Sequence, residues 1–306
     1  MDKFEKTLRD IKSLRIQGAE NVAINAVKAL EWKCSSPKTQ SPKKFISEME
    51  KAKRSLFSTR PTEPLMRNAL NYVTASVAYS GKYEKNNTQI KKSLHKSSAF
   101  ALSHFEAARR SIAAIGAKKI ENGMTIFTHC HSSTVMGILK AAKSQGKKFT
   151  VFNTESRPLL QGRTSAKELA KLRIPVTHFV DSAAKIAIKK SDIVLFGFDA
   201  VTTTKVYNKI GSEMFALMAD KYDIPLFACG DSWKFDPECA YGNEEKIELR
   251  PSKEIWPSAP KGVKIENPSF ERIDPRLITA IISELGVYGH ENFIEEVKKA
   301  YPWLSG

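Results

Sequence analysis

The chain has 306 residues, 42% hydrophobic and 27% charged, which is enough for two domains and a substantial core. No apolar run approaches the roughly 20 residues that a membrane helix needs, and the amino terminus lacks an apolar signal core, so a cytoplasmic protein with no membrane partner is expected. The net charge of +16 favours an anionic partner (nucleic acid, acidic protein or phosphorylated small molecule), but the lysines are dispersed, and charge alone does not choose among them.

Residues Asp2 to Leu30 show helical spacing, with Leu8, Ile11, Leu14, Val22, Ile24, Val27 and Leu30 apolar and a break at Gln17-Gly18-Ala19. After a Ser/Pro/Lys-rich stretch, a second helix is predicted from Pro42 to Phe57. An extended Ser58-Thr59-Arg60-Pro61-Thr62 follows, then helices from Pro64 to Val77 and Asn87 to Ile120. From Asn122-Gly123 the pattern changes. Short β-branched and aromatic runs at Thr125 to His129, Phe149 to Asn153, Val176 to Val180, Ile193 to Phe198 and Pro225 to Ala228 read as strands. Helix formers lie between them, near Val135 to Ser144, Ala166 to Leu172, Ala183 to Lys189 and Ser212 to Tyr222. Alternation of this kind predicts parallel β-α-β units. The fold class expected is α/β, with an N-terminal helical domain over residues 1–120 followed by a Rossmann-like, doubly wound parallel sheet domain over 121–306. Tyr241 to Pro268 reads as loop, and Asp274 to Leu285 and Glu291 to Tyr301 as helices.

Ligands in doubly wound sheets bind beyond the carboxyl ends of the strands. Cys130, Asn153 to Arg157, Asp181 and Asp199 all fall at such ends. Cys130 lies in Thr128-His129-Cys130-His131-Ser132-Ser133, between a buried strand and a helix. A helix N-terminus there would bind an anion and lower the thiol's pKa, and the flanking histidines could lower it further or carry protons. The alternative is a small buried thiol beside incidental imidazoles. Metal ligation by His129 and His131 is disfavoured because neighbours on an extended strand point to opposite faces. Cys34, Cys130, Cys229 and Cys239 show neither C-x-x-C pairs nor zinc-like spacing, so neither a disulfide framework nor a metal site is expected.

Asp199 closes the apolar run Ile193 to Phe198, which suits a general acid of raised pKa or a residue that caps the next turn. Lys209, in Asn208-Lys209-Ile210-Gly211-Ser212, would set a cation at a helix start, unless this is an ordinary loop. Arg60 and Arg157 each precede proline, which favours extended backbone and a fixed guanidinium suited to phosphate. Lys234 after the last strand adds a second cation, and Gly18-Ala19 would admit a phosphate close to the backbone.

Taken in order, Phe57 to Thr62, Thr128 to Ser133, Asn153 to Pro158, Gln161-Gly162-Arg163, Val180 to Ala183, Gly197 to Ala200 and Asn208 to Gly211 resemble one family over nearly the whole chain. It is the superfamily of initiation factor 2B alpha, beta and delta subunits, 5-methylthioribose-1-phosphate isomerase and archaeal ribose-1,5-bisphosphate isomerase. The His-Cys-His-Ser-Ser and Asn-Thr-Glu-Ser-Arg-Pro segments look most like the last of these. The resemblance implies catalysis by Cys130 and Asp199, without metal or cofactor. It implies substrate contacts from Gln17, Gly18, Ala19, Glu20, Arg60, Ser132, Arg157, Asn208, Lys209 and Lys234. It also implies a phosphorylated pentose as substrate and a dimer-based homo-oligomer, for which a hexamer is one of the assemblies left open. Gln17 stands where the family's isomerases usually carry arginine, Leu159-Leu160 replaces a more polar pair, and the 200–207 loop is short. These departures keep open an isomerase of another pentose phosphate, such as 5-methylthioribose 1-phosphate, and a non-catalytic initiation factor 2B-like subunit that binds initiation factor 2 alpha.

Overall fold

A computed structural model describes residues 2–35, 41–83, 87–237 and 247–304. Cys239 and the first residues of the stretch read as loop from Tyr241 lie outside the described residues. The chain divides into two compact units, Met1–Ala107 and Ala108–Gly306.

The N-terminal unit is helical. Helices α1 (Lys3–Lys12), α2 (Ala19–Cys34), α3 (Pro42–Phe57) and α4 (Pro64–Tyr83) precede α5 (Asn87–Ala117), which runs on into the second unit. The start of α1 is fixed by Asp2, whose carboxylate accepts from the Phe4 N–H at 3.1 Å. Ser41 caps α3 in the same way, with Pro42 in the first turn, where a missing N–H costs nothing. Helix α2 packs against α1, α3 and α4, and Ile11, Val22, Leu30, Phe45, Met49, Leu65 and Leu70 are sealed from water. The break expected at Gln17 to Ala19 is real: Gly18 takes φ 82° and α2 starts at Ala19. Ser58 to Thr62 is not extended. Thr59 and Arg60 turn back, their N–H groups donating to the Leu56 and Phe57 carbonyls, because the chain unwinds from α3 through a last tight turn.

In the C-terminal unit, β1 (Thr125–Thr128), β2 (Thr150–Thr154), β3 (Val176–Phe179), β4 (Ile193–Gly197), β7 (Leu226–Cys229), β9 (Ala280–Ser283) and β10 (Gly286–Tyr288) form one sheet. Its order is β10-β9-β7-β4-β1-β2-β3, parallel throughout except for the β10 edge. Strands β5 (Ala200–Val201), β6 (Val206–Lys209) and β8 (Phe270–Ile273) make a small antiparallel sheet. Helices α6 (Ser133–Ser144), α7 (Gly162–Lys171), α8 (Ala184–Ile188), α9 (Ser212–Lys221) and α10 (His290–Ala300) complete the unit. Ile126, Ile138, Leu139, Val151, Leu169, Leu195 and Ile282 belong to one buried cluster. The Lys147 ammonium closes the end of α5, donating to the Ala117 and Ile120 carbonyls at 2.7 Å each.

The protein is therefore α/β, with a helical N-terminal part and a mostly parallel doubly wound sheet. The helix expected from Asp274 to Leu285 does not form. Asp274 caps a 3₁₀ turn over Pro275–Leu277, and the apolar residues after it enter the sheet as β9. Strand order runs outward from β1 through β2 to β3 and, on the other side, from β4 through β7 to β9. The crevice of the topological switch thus opens between the carboxyl ends of β1 and β4.

Candidate active site

Cys130 follows β1 and Asp199 follows β4, so the two residues flank that switch point. Cys130 has φ 64°, a left-handed conformation that side chains other than glycine rarely adopt. Both of its peptide groups are held: its N–H donates to Ser156 Oγ at 2.8 Å, and its carbonyl accepts from Ser165 Oγ at 2.9 Å. Ser132 caps α6, its Oγ accepting from the Val135 N–H at 3.3 Å. A Cβ on Gly197 would sit 2.6 Å from that oxygen, so only glycine at the end of β4 lets the two segments meet.

The expectation that the helix start and its histidines lower the thiol's pKa is not met. Burial pushes the Cys130 thiol up to about 11, and the Asp199 and Asp181 carboxylates push in the same direction. The Lys209 charge and the His131 N–H facing the sulfur oppose this and lose. At neutral pH Cys130 is therefore a protonated thiol. Asp199 donates its own N–H to the Tyr207 carbonyl at 2.8 Å, which sets the hairpin of β5 and β6 directly beside it.

His129 is locked. Its Nε2 lies 3.0 Å from the Ile210 carbonyl, which can only accept, so the proton is on Nε2 and Nδ1 accepts from Thr154 Oγ1 at 2.6 Å and Ser156 Oγ at 3.2 Å. The ring packs edge-on to Phe215, with centroids 4.8 Å apart. Desolvation lowers its pKa to about 4, so it is a neutral bracket rather than a proton carrier. His131 turns the other way, its Nδ1 3.0 Å from Ser165 Oγ and its Nε2 3.7 Å from Glu168.

The depressed pKa of His129 has a consequence for stability. From pH 6.5 downward the unfolded chain takes up a proton that the folded site refuses, until the folded pKa near 4 is reached. About 3 kcal/mol of stability is expected to be lost across that window. The loss is to be read from urea midpoints as a function of pH, and His129→Gln should flatten the curve there. An unchanged slope in the variant would remove His129 as its source.

Lys209, at the end of β6, is buried, and among the described residues its ammonium has no ion pair. It acts electrostatically on both Cys130 and His129. Asn208 beside it donates to Ser212 Oγ at 2.8 Å at the start of α9, which opens with Gly211 at φ 100°. This is strand end and helix start rather than plain loop. Lys234 is also buried: it lies in a 3₁₀ turn over Ser232–Lys234, and its ammonium donates to the carbonyl of Phe198, the residue before Asp199. Thus Cys130, Ser132, Asp199, Asn208, Lys209 and Lys234 share one edge of the sheet domain.

Arg157 does not point its charge there. Its guanidinium donates to the Ile255 carbonyl at 3.2 Å and is exposed, while its backbone N–H is held by Asp181 at 2.7 Å and its peptide bond to Pro158 is cis. In the N-terminal unit, Arg60 is buried and pairs with Glu63 at 2.7 Å. Gln17 is exposed and donates to the Leu14 carbonyl at 2.6 Å, followed by Gly18 at the N-cap of α2 and by the buried Ala19 and half-buried Glu20 in its first turn. Asp181, Ser156 and Thr154 stand in segments that the sequence marks as strand ends and family motifs, Val180 to Ala183 and Asn153 to Pro158, but it assigns them no role; Ser165 carries no sequence signal for the site. Cys34 and Cys229 are buried, their thiols pushed up by desolvation, as befits structural residues.

The model of the initiation factor 2 subunit family matches residues 15–289. Ribose 1,5-bisphosphate isomerase of Thermococcus kodakarensis is 35% identical over 96% of this chain and 93% of its own, and that of Methanocaldococcus jannaschii is 34% identical over 99% and 97%. Methylthioribose-1-phosphate isomerase of Pelotomaculum thermopropionicum is 32% identical over 90% of this chain and 80% of its own. Among solved structures, translation initiation factor eIF-2B of Pyrococcus horikoshii OT3 superposes with a TM-score of 0.81 at 25% identity, covering 94% of this chain and 98% of its own. The ordered motifs, the sheet with its switch-point residues and the match along almost the entire length lead to one conclusion: the chain belongs to the initiation factor 2 subunit family.

Proposed function

We propose that the chain is an aldose-ketose isomerase that converts ribose 1,5-bisphosphate to ribulose 1,5-bisphosphate in the cytoplasm. The observation that carries this reading is the thiol of Cys130 and the carboxylate of Asp199 on either side of the switch point, with the buried Lys209 ammonium beside them. The relatives named ribose 1,5-bisphosphate isomerase, at 34 to 35% identity over most of both chains, support the choice of substrate.

The protonation state suggests an order of events. With C1 phosphorylated, the sugar ring must open before C2 can become a ketone. Cys130, present as the acid, gives its proton to the ring oxygen as the C1–O bond breaks. The resulting thiolate removes the C2 proton, forming the enol, and returns that proton to C1. Asp199 accepts the proton of the C2 hydroxyl and passes it back to the sulfur, which restores both groups. Lys209 and Lys234 are the cations that the sheet domain offers to the substrate's phosphates.

We also read the protein as a homo-oligomer. Ile186 on α8 and Met214 and Leu217 on α9 are exposed apolar side chains on helices that pack together, and a second copy is the cover proposed for them.

The test is to incubate the purified chain, its assembly state followed by light scattering, with ribose 1,5-bisphosphate, and to follow the ketose product. Turnover that is lost in Cys130→Ser and Asp199→Asn is expected. Turnover only of 5-methylthioribose 1-phosphate would move the substrate, and binding of initiation factor 2 alpha without turnover of any pentose phosphate would end the enzyme reading.

A further inference from the structure

The ends of β1, β2 and β3, adjacent in the sheet, are tied together by one polar chain. It starts at Asp181, whose Oδ1 and Oδ2 accept from the successive backbone N–H groups of Ser156 and Arg157 at 2.8 and 2.7 Å. It continues through Ser156, which is wholly buried, has φ 60°, and presents Oγ to the Cys130 N–H at 2.8 Å. The same hydroxyl donates to His129 Nδ1, and His129 in turn holds the carbonyl of Ile210, next to Lys209. Two residues in the left-handed region, Ser156 and Cys130, thus face each other through one hydrogen bond. Left-handed backbone in side-chain-bearing residues persists only where the surroundings over-determine it. Here the two carboxylate oxygens of Asp181 supply that constraint on one side and Ser165, on the Cys130 carbonyl, supplies it on the other.

We propose that Asp181 is a positioning residue for Cys130: by fixing the Ser156 backbone it sets the Ser156 hydroxyl under the Cys130 N–H and so aims the thiol. The inference rests on the assignment of proton transfer to Cys130. Asp181 also acts on the thiol through its charge, and the two modes predict different behaviour. Removing the charge alone would make the thiol more acidic without moving it. Removing the support would displace it, and displacement by about 1 Å can cost on the order of 100-fold in rate.

The experiment compares Ser156→Gly, Asp181→Asn and the double variant. Glycine accepts positive φ without strain, so Ser156→Gly deletes the hydroxyl while keeping the turn. Two quantities are read in each protein: steady-state kinetics, and the rate of Cys130 alkylation by iodoacetamide at fixed pH, located by peptide mass spectrometry. Each single variant is expected to lose at least about 10-fold in kcat with KM held, to change the alkylation rate several-fold, and the double variant to be no worse than Asp181→Asn. Losses that multiply in the double variant, or an alkylation rate that Ser156→Gly leaves unchanged, would overturn the proposal. Alkylation needs no turnover, so it reports on the Asp181 chain even if Cys130→Ser proves active and the catalytic assignment itself falls.

Discussion

Cys130→Ser is expected to lower kcat by about 10² to 10⁴-fold, with KM and the melting temperature nearly unchanged. Serine keeps the size of the side chain, the backbone bonds to Ser156 and Ser165, and the cap on α6 formed by the next residue but one. What it removes is a group able to be an acid and then a base within one catalytic cycle, because a hydroxyl gives up its proton far less readily than a thiol. The pH profile of the unaltered enzyme separates two ways of using the sulfur. If the resting thiolate were required, a pKa of about 11 would make the rate climb tenfold per pH unit from neutrality upward. With the thiol entering as the acid, no such climb is expected, and activity should fall only as the pH approaches that value. Steady-state kinetics across the alkaline range distinguish the two. A serine variant with a tenth or more of the original turnover would remove Cys130 from the chemistry.

The parallel sheet was legible because each buried strand is a short β-branched run closed by turn residues, and Cys130 and Asp199 were legible because they end two such runs. Strand β9 was not, for the same physical reason that makes it a good strand. Buried on both faces between β7 and β10, it carries no polar alternation, and Leu277, Ile278, Ile281, Ile282 and Leu285 fit helical spacing equally well. Strands β5, β6 and β8 escaped because two to four residues give no period to read. Residue types near Cys130 were visible, but not the sign of its pKa shift. A helix start and two histidines suggested a lowered value, whereas the fold withdraws the thiol from water, sets two carboxylates near it and keeps His129 neutral. The chain from Asp181 through Ser156 joins residues 25 and 26 positions apart, and no local pattern encodes it.

Lys209→Met tests the anion site, and its two consequences are expected to run in opposite directions. The ammonium is buried at the end of β6 without an ion pair among the described residues, so burial costs it hydration that no direct ion pair repays. Methionine matches its length and removes that penalty, so the melting temperature is expected to hold or rise. The substrate, in contrast, loses a charged hydrogen bond of about 1.5 to 3 kcal/mol, which corresponds to a KM higher by roughly 10 to 150-fold. The Cys130 thiol should also become harder to ionise, since Lys209 is the leading influence that lowers its pKa, and slower alkylation at fixed pH would register this without substrate. A destabilised variant with unchanged KM would mean that Lys209 serves the fold. A stabilised variant with poor binding means that the fold carries an unfavourable charge because the ligand needs it, which is what separates a phosphate site from an incidental buried lysine.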